Sequence, residues 1–190
     1  MILGVLSDTH GQVRRAQAAI RLLRRLGATG FVHCGDICGQ GVIDAFVGLR
    51  AWLVCGNCDD ESPAIARYAE SLGLVYSDVK PLRIELDGRT VLVFHGHESA
   101  FSRLLWDVEE GRGDLGSPAG APPVYVLHGH THVARDVRVG SCRVVNPGAL
   151  HRAGVFTVAT IDLAADDVKF WQVQDRAGDT APPVSYQPTP

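Results

Sequence analysis

The sequence predicts an α/β fold, and three observations predict it. Over the first 72 residues short apolar runs alternate with segments of helical period, the pattern of parallel strands joined by crossover helices. After residue 81 the pattern changes to alternating strands and tight turns. Finally, the apolar runs end beside glycines accompanied by Asp, Asn or His, and ligand sites of open α/β sheets lie beyond the carboxyl ends of the strands.

Bulk composition bounds the answer first. A chain of 190 residues is most simply one domain, large enough for a real core without disulfides. Its 46% hydrophobic and 21% charged residues are those of a soluble globular protein. A net charge of −3 argues against a general nucleic-acid or membrane-surface binder. No apolar run reaches membrane-spanning length, and Met1 to Leu6 lacks the basic leader of a secretory segment. Five cysteines, an odd number mostly at the ends of apolar runs, favour free thiols in a reducing cytoplasm. A homo-oligomer is left open.

The elements follow in order. Ile2 to Leu6 reads as a strand that stops at Ser7-Asp8-Thr9-His10-Gly11. Val13, Ala16, Ala19, Ile20, Leu23 and Leu26 then recur at helical spacing, and Gly27 ends the helix. Arg14, Arg21, Arg24 and Arg25 lie largely off that stripe and read as a solvated face rather than a phosphate patch. Gly30 to Cys34 is a second strand running into Gly35-Asp36, and a short helix is expected around Val42 to Val47. Ala51 to Val54 is a third strand ending at Cys55-Gly56-Asn57-Cys58-Asp59, with a helix from about Ser62 to Leu72.

Pro81 to Leu86 and Arg89 to Phe94 flank Asp87-Gly88, a strong hairpin signal. The second of these strands leads to His95-Gly96-His97, followed by a helix from Ser99 to about Glu109. Gly111 to Pro123, rich in Gly and Pro, reads as a mobile loop. Val124 to Leu127 is a buried strand entering His128-Gly129-His130-Thr131-His132. Val133 to Val139 and Cys142 to Val145 are strands, Asn146-Pro147-Gly148-Ala149 a turn, and Val155 to Leu163 with Val168 to Val173 a closing hairpin. The domain is expected to span residues 1–173, and the Pro-rich remainder, 174–190, to be a disordered tail.

The histidines of 128–132 alternate, so side chains of like parity leave one side of an extended chain. Crowded imidazoles repel when protonated, and a metal is the economical reason to gather them, because neutral imidazole is a common ligand. The competing reading is a histidine-rich surface loop. Five strand ends then supply seven O and N donors: Asp8 and His10, Asp36, Asn57, His95, and His130 with His132. Seven exceed one tetrahedral zinc and suit two divalent ions if a carboxylate is shared. A donor set of carboxylate, amide and imidazole without thiolate favours Mn, Fe, Zn, Co or Ni. Two such ions against two aspartates leave about two positive charges, which suits an anionic substrate.

Taken together, Asp8-Thr9-His10, Gly35-Asp36, Gly56-Asn57-Cys58-Asp59, His95 and Gly129-His130-Thr131-His132 resemble, in their order, the calcineurin-like metallophosphoesterases. Ser7 to Gly11 and Asn146-Pro147-Gly148 resemble most the small prokaryotic phosphodiesterase branch, over roughly residues 1–173. The resemblance implies a four-layer α/β/β/α sandwich of two mixed sheets, with the metal site at the carboxyl ends of the strands. It implies Asp8, His10, Asp36 and His132 on one ion, and Asp36, Asn57, His95 and His130 on the other, Asp36 being the bridge. The expected activity is hydrolysis of a small-molecule phosphoester, foremost a phosphodiester, by a hydroxide bridging two ions about 3.5–4 Å apart. Manganese is the first expectation for the metal, with iron, zinc, nickel and cobalt as alternatives.

The chain departs from the family at Cys58, where many members carry a histidine that assists the reacting phosphate. A thiol cannot imitate an imidazolium, so esters with poor leaving groups should suffer. His97, two residues beyond His95, is a further candidate near the substrate, while His33, His128 and His151 read as structural. Cys55 and Cys58 also form a C-x-x-C, the spacing of a redox pair. Cys34, Cys38, Cys55 and Cys58 could formally make a zinc knuckle. Other readings are a non-catalytic interaction scaffold, as in a eukaryotic retromer subunit similar to this branch, and a nuclease.

Overall fold

The computed structural model describes residues 1–59, 63–112, 124–140, 142–174 and 182–188. The expected loop over 111–123 falls almost wholly outside them. Among the described residues the first sheet orders as β12-β11-β10-β1-β2-β3-β4. Its members are β1 (Ile2–Leu6), β2 (Gly30–His33), β3 (Ala51–Val54), β4 (Val75–Ser77), β10 (Thr157–Asp162), β11 (Asp167–Gln172) and β12 (Val184–Tyr186). The second sheet orders as β5-β6-β7-β9-β8. It contains β5 (Leu82–Leu86), β6 (Arg89–Val93), β7 (Val124–Leu127), β8 (Arg135–Val139) and β9 (Cys142–Asn146).

β1 to β4 pair in parallel, as do β6, β7 and β9. Helices α1 (Val13–Arg25), α2 (Gln40–Asp44) and α3 (Pro63–Ser71) belong to the first sheet, and α4 (Ser99–Glu109) to the second. The result is the expected four-layer α/β/β/α sandwich of two mixed sheets.

Strand alternation explains the layers. Leu3 and Val5 of β1 enter the core between the sheets with Val91, Val93, Tyr125 and Leu127. Leu6 belongs instead to the core under α1, with Ala16, Ala19, Ile20 and Leu23. Leu92, Phe94, Val124 and Val126 face α4 through Phe101 and Val108. A one-residue slip of β6 or β7 would exchange these two cores. Gly4 keeps α1 close: a Cβ there would lie 3.0 Å from Leu23 Cδ1. Arg14, Arg21, Arg24 and Arg25 are exposed on the far face of α1, as expected for a solvated side.

An ionic cluster ties the second sheet to the first. Asp166, in the β10–β11 turn, accepts from Arg143 Nη1 at 2.8 Å and from Arg138 and Tyr125. Arg143 also holds Asp136 by two bonds of 2.9 and 2.8 Å.

Three expectations need correction. β4 was not anticipated; its three residues, Val75-Tyr76-Ser77, are too short to show a period. The short second helix begins at Gln40, after the Gly39 turn, and ends at Asp44. From there i→i+3 bonds such as Val47 N to Asp44 O continue only as turns. The tail is not wholly without regular structure, because Val184–Tyr186 pairs antiparallel with Phe170 to Gln172. Backbone pairing with an edge strand requires little of the side chains, so the Pro-rich composition hid it.

Candidate metal centre

Each candidate donor follows a strand of one of the two sheets. Asp8 and His10 follow β1, Asp36 follows β2, Asn57 follows β3, His95 follows β6, and His130 and His132 follow β7. The loops interlock through the backbone: Asp8 N–H donates to Gly35 O at 3.0 Å, His10 N–H to Asp36 O at 2.9 Å, and Gly129 N–H to His95 O at 2.7 Å. Asp8, His10, Asp36, His130 and His132 all have positive φ, between 44° and 66°. That conformation costs a non-glycine residue about 1–2 kcal/mol, and such strain concentrates at functional sites.

Two glycines are needed for close approach. A Cβ at Gly56 would stand 2.2 Å from Asp36 Oδ1, and one at Gly129 would stand 1.9 Å from Ser7 Oγ and 2.6 Å from Asp8 Oδ2.

The structure brings all seven donors together. Asp36 turns Oδ2 to His10 Nε2 and Oδ1 to His95 Nε2, each at 3.4 Å. His132 Nε2 lies 3.3 Å from Asp8 Oδ1. The amide oxygen of Asn57 is 3.0 Å from both His95 Nε2 and His130 Nδ1. Three sets of donor atoms lie close enough to share an ion: Asp8, His10 and His132; Asp8, Asp36 and His95; and His10, Asp36 and Cys58.

A metal fits these groups on two observations. His10 Nε2 is buried without a hydrogen-bond partner among the described residues. His95 Nδ1 is bonded at 2.8 Å to the carbonyl oxygen of Cys34, an acceptor, so Nδ1 donates and Nε2 presents its lone pair to Asp36 and Asn57. Acceptors gathered face to face call for a cation.

The electrostatics agree. Burial pushes the Asp36 carboxyl upward, but the His95 imidazole, when it carries a second proton, and the Cys58 backbone N–H hold it well below the usual carboxylate range. Burial raises Asp8, opposed by Ser7 and by His95 and His132. Asp8, Asp36 and His95 are buried, whereas Asn57, Cys58 and His130 are exposed, so the centre is anchored in the core and open on one side.

Neighbouring groups hold the donors. Glu98 accepts from the N–H of His95 at 3.0 Å and of Gly96 at 2.7 Å. Asn146, at the end of β9, donates to Gly129 O at 2.8 Å and Thr131 Oγ1 at 3.0 Å, which steadies the histidine loop. Neither role had a sequence signal beyond the Asn146-Pro147-Gly148 turn. Asn57 Nδ2 donates to Cys58 Sγ at 3.4 Å, leaving the amide oxygen toward the histidines.

His97 stands on the rim, its ring 5.4 Å from that of His95 and 5.9 Å from that of His130. His33 lies beneath the site on Thr9 and Gly35, and burial lowers its pKa to about 3. His128 is likewise held near 4 by burial. His151, read as structural, lies beside the centre, its ring tilted 52° to that of His10 with the centroids 5.2 Å apart. Nothing in its spacing announced this, because the turn after β9 carries it there.

The redox-pair and zinc-knuckle readings find no support in the structure. None of the five cysteines forms a disulfide, and Cys55 is buried while Cys58 is exposed. Of the four knuckle cysteines only Cys58 enters a metal-competent group among the described residues, and it does so with His10 and Asp36.

Comparison with known proteins completes the identification. Residues 1–166 match the model of the calcineurin-like phosphoesterase superfamily domain. A phosphodiesterase of Methanocaldococcus jannaschii is 25% identical over 166 residues, which cover 85% of this chain and 93% of that protein. An archaeal phosphodiesterase structure superposes with a TM-score of 0.75 at 22% identity, covering 90% of this chain and 99% of that one. The Escherichia coli phosphoesterase Yfce gives 0.63 at 21%, covering 93% and 96%. Vps29 of Entamoeba histolytica, in complex with zinc, gives 0.57 at 15%, covering 97% and 99%. No helix among the described residues is long and apolar enough to cross a membrane. The chain belongs to the calcineurin-like phosphoesterase superfamily and is a metal-dependent phosphoesterase.

Proposed function

We propose that the chain hydrolyses phosphodiesters with two divalent ions. Asp8, His10, Asp36 and His132 would hold one, Asp36, Asn57, His95 and His130 the other, and manganese is the first metal to try. The observation that carries this reading is Asp36, whose two oxygens each face the Nε2 of a different histidine at 3.4 Å. When bound, the pair of ions supplies Lewis acidity toward the phosphate and a more acidic water.

The chain's own residues do the rest. His130 and Asn57 lie on the exposed side, where a substrate arrives. His97 is placed at that rim to donate a hydrogen bond to a phosphate oxygen. Partial desolvation and the charge of Asp36 raise the Cys58 thiol above its ordinary pKa when no cation is bound. A thiol cannot serve a departing alkoxide as an imidazolium would, so the reading favours esters with good leaving groups.

The test uses bis-p-nitrophenyl phosphate and p-nitrophenyl phosphate. Chelator-treated protein should be inactive, manganese should restore it, and the diester should be turned over faster than the monoester. Undiminished diester hydrolysis by metal-free protein would refute the reading.

A further inference from the structure

A cavity of about 410 Å³ opens beside the candidate metal centre, between α2 and α3. Small-molecule sites run from about 300 to 1,000 Å³. The cavity shares two residues with the surroundings of the centre. Cys38 places Sγ 3.7 Å from His10 Nδ1, and Cys58 donates its backbone N–H to Asp36 Oδ1 at 2.8 Å. Beyond these thiols the wall is Ile37, Ile43, Ile65 and Tyr76. Ile37 and Ile43 belong to the packed core under α1 and α2, with Ile65 and Tyr76 against it, so the wall is a fixed surface.

The polar edge of the cavity is already occupied. Asp59 lines it, but its two carboxylate oxygens accept the N–H groups of Cys38 at 2.6 Å and Gly56 at 2.7 Å. Gln40 and the Tyr76 hydroxyl are further polar groups there, and no Lys or Arg lines the cavity among the described residues. A second phosphate or a carboxylate would meet no counter-charge, and Asp59 would repel it. An uncharged apolar group would cover the partly exposed Ile65 and Tyr76 and gain from their removal from water.

We propose that this cavity is the subsite for one ester substituent of the substrate, and that it selects diesters whose non-leaving group is an uncharged, ring-sized apolar moiety. The inference rests on the phosphodiesterase reading, since a monoester has no second substituent to place there. It also gives α2 and α3 a part in specificity: they carry Ile43 and Ile65 to the wall of this cavity.

The experiment holds the leaving group constant and varies the other substituent. Manganese-loaded protein is assayed with methyl, carboxymethyl and cyclohexyl p-nitrophenyl phosphate. The cyclohexyl diester should exceed the methyl diester in kcat/KM by about tenfold or more, the scale on which apolar pockets discriminate by size. The gain should lie mainly in KM, and the carboxymethyl diester should be no better than methyl. Ile65→Trp, which fills the cavity, and Ile65→Asp, which charges it, should each cut the cyclohexyl-to-methyl ratio at least threefold with metal content unchanged. Equal kcat/KM for cyclohexyl and methyl diesters in the wild-type protein would overturn the subsite while leaving the phosphodiesterase reading intact. A ratio unmoved in both folded, metal-loaded Ile65 variants would also overturn it. If none of the three diesters is hydrolysed, the phosphodiesterase reading fails and the subsite fails with it.

Discussion

Asp36 meets His95 with a carboxylate oxygen, Oδ1, 3.4 Å from an imidazole nitrogen whose ring partner, Nδ1, is already bonded to Cys34 O at 2.8 Å. The same carboxylate meets His10 on its other oxygen. A side chain so shared should matter to both halves of the centre. Asp36→Asn keeps the shape and removes the charge, so it should lower metal occupancy at both positions. His132 faces Asp8 and His10 rather than Asp36, so His132→Ala should chiefly disturb one. Elemental analysis of the two proteins checks this: two firmly held ions in Asp36→Asn would show that Asp36 is not the bridge.

Gly56 should tolerate no side chain. The added Cβ of Gly56→Ala would stand 2.2 Å from Asp36 Oδ1 and 2.3 Å from its backbone nitrogen, so the Asp36 loop must shift. A displacement near 1 Å at a reacting centre can cost about 10²-fold in rate. We expect at least that loss in kcat/KM for bis-p-nitrophenyl phosphate in a protein that still folds by circular dichroism. Activity within a factor of three of wild type would contradict the close packing.

The ionic cluster around Asp166 should give a pH-dependent stability difference. Burial raises this carboxyl, but bonds from Tyr125, Arg138 and Arg143 hold it well below the usual carboxylate range. A depressed folded-state value means that its stabilisation is fully present above the unfolded carboxyl value of about 3.9. It fades as pH falls from there toward the depressed value. Asp166→Asn should therefore cost about 1–3 kcal/mol near neutral pH, with the gap to wild type narrowing below about pH 4. Denaturant unfolding at several pH values measures this, and a gap constant down to pH 3 would exclude the ionic explanation.

Cys58 separates chemistry from placement. An added acid in the right geometry is worth about 10²–10⁴-fold, and p-nitrophenyl esters need it least. Cys58→Ser should leave p-nitrophenyl diester hydrolysis largely intact. Cys58→His should raise turnover of alkyl phosphate esters relative to p-nitrophenyl esters at unchanged metal content. Loss of diester hydrolysis in a fully metal-loaded Cys58→Ser would make the thiol itself catalytic.

Much of this was legible in the sequence for a physical reason. Strand period placed Ile2–Leu6, Ala51–Val54 and Val124–Leu127, and the polar residues after them emerge at the carboxyl ends of strands in the two packed sheets. Asp87-Gly88 signalled its hairpin because both positions take positive φ, 49° and 72°. β4 and β12 were illegible because three-residue strands are defined by backbone pairing rather than side-chain period. The support from Glu98 and Asn146, and the approach of His151 to His10, depend on how separate loops fold over one another. Local spacing carries no trace of that.

The central claim is that this centre holds two catalytic ions. Its most direct measurement is titration of metal-free protein with Mn²⁺, following bound metal per chain and bis-p-nitrophenyl phosphate hydrolysis in the same samples. The account predicts that binding saturates at two ions per chain and that activity is complete only when both are bound. Saturation at a single ion with full activity, or full activity with no metal, would contradict it.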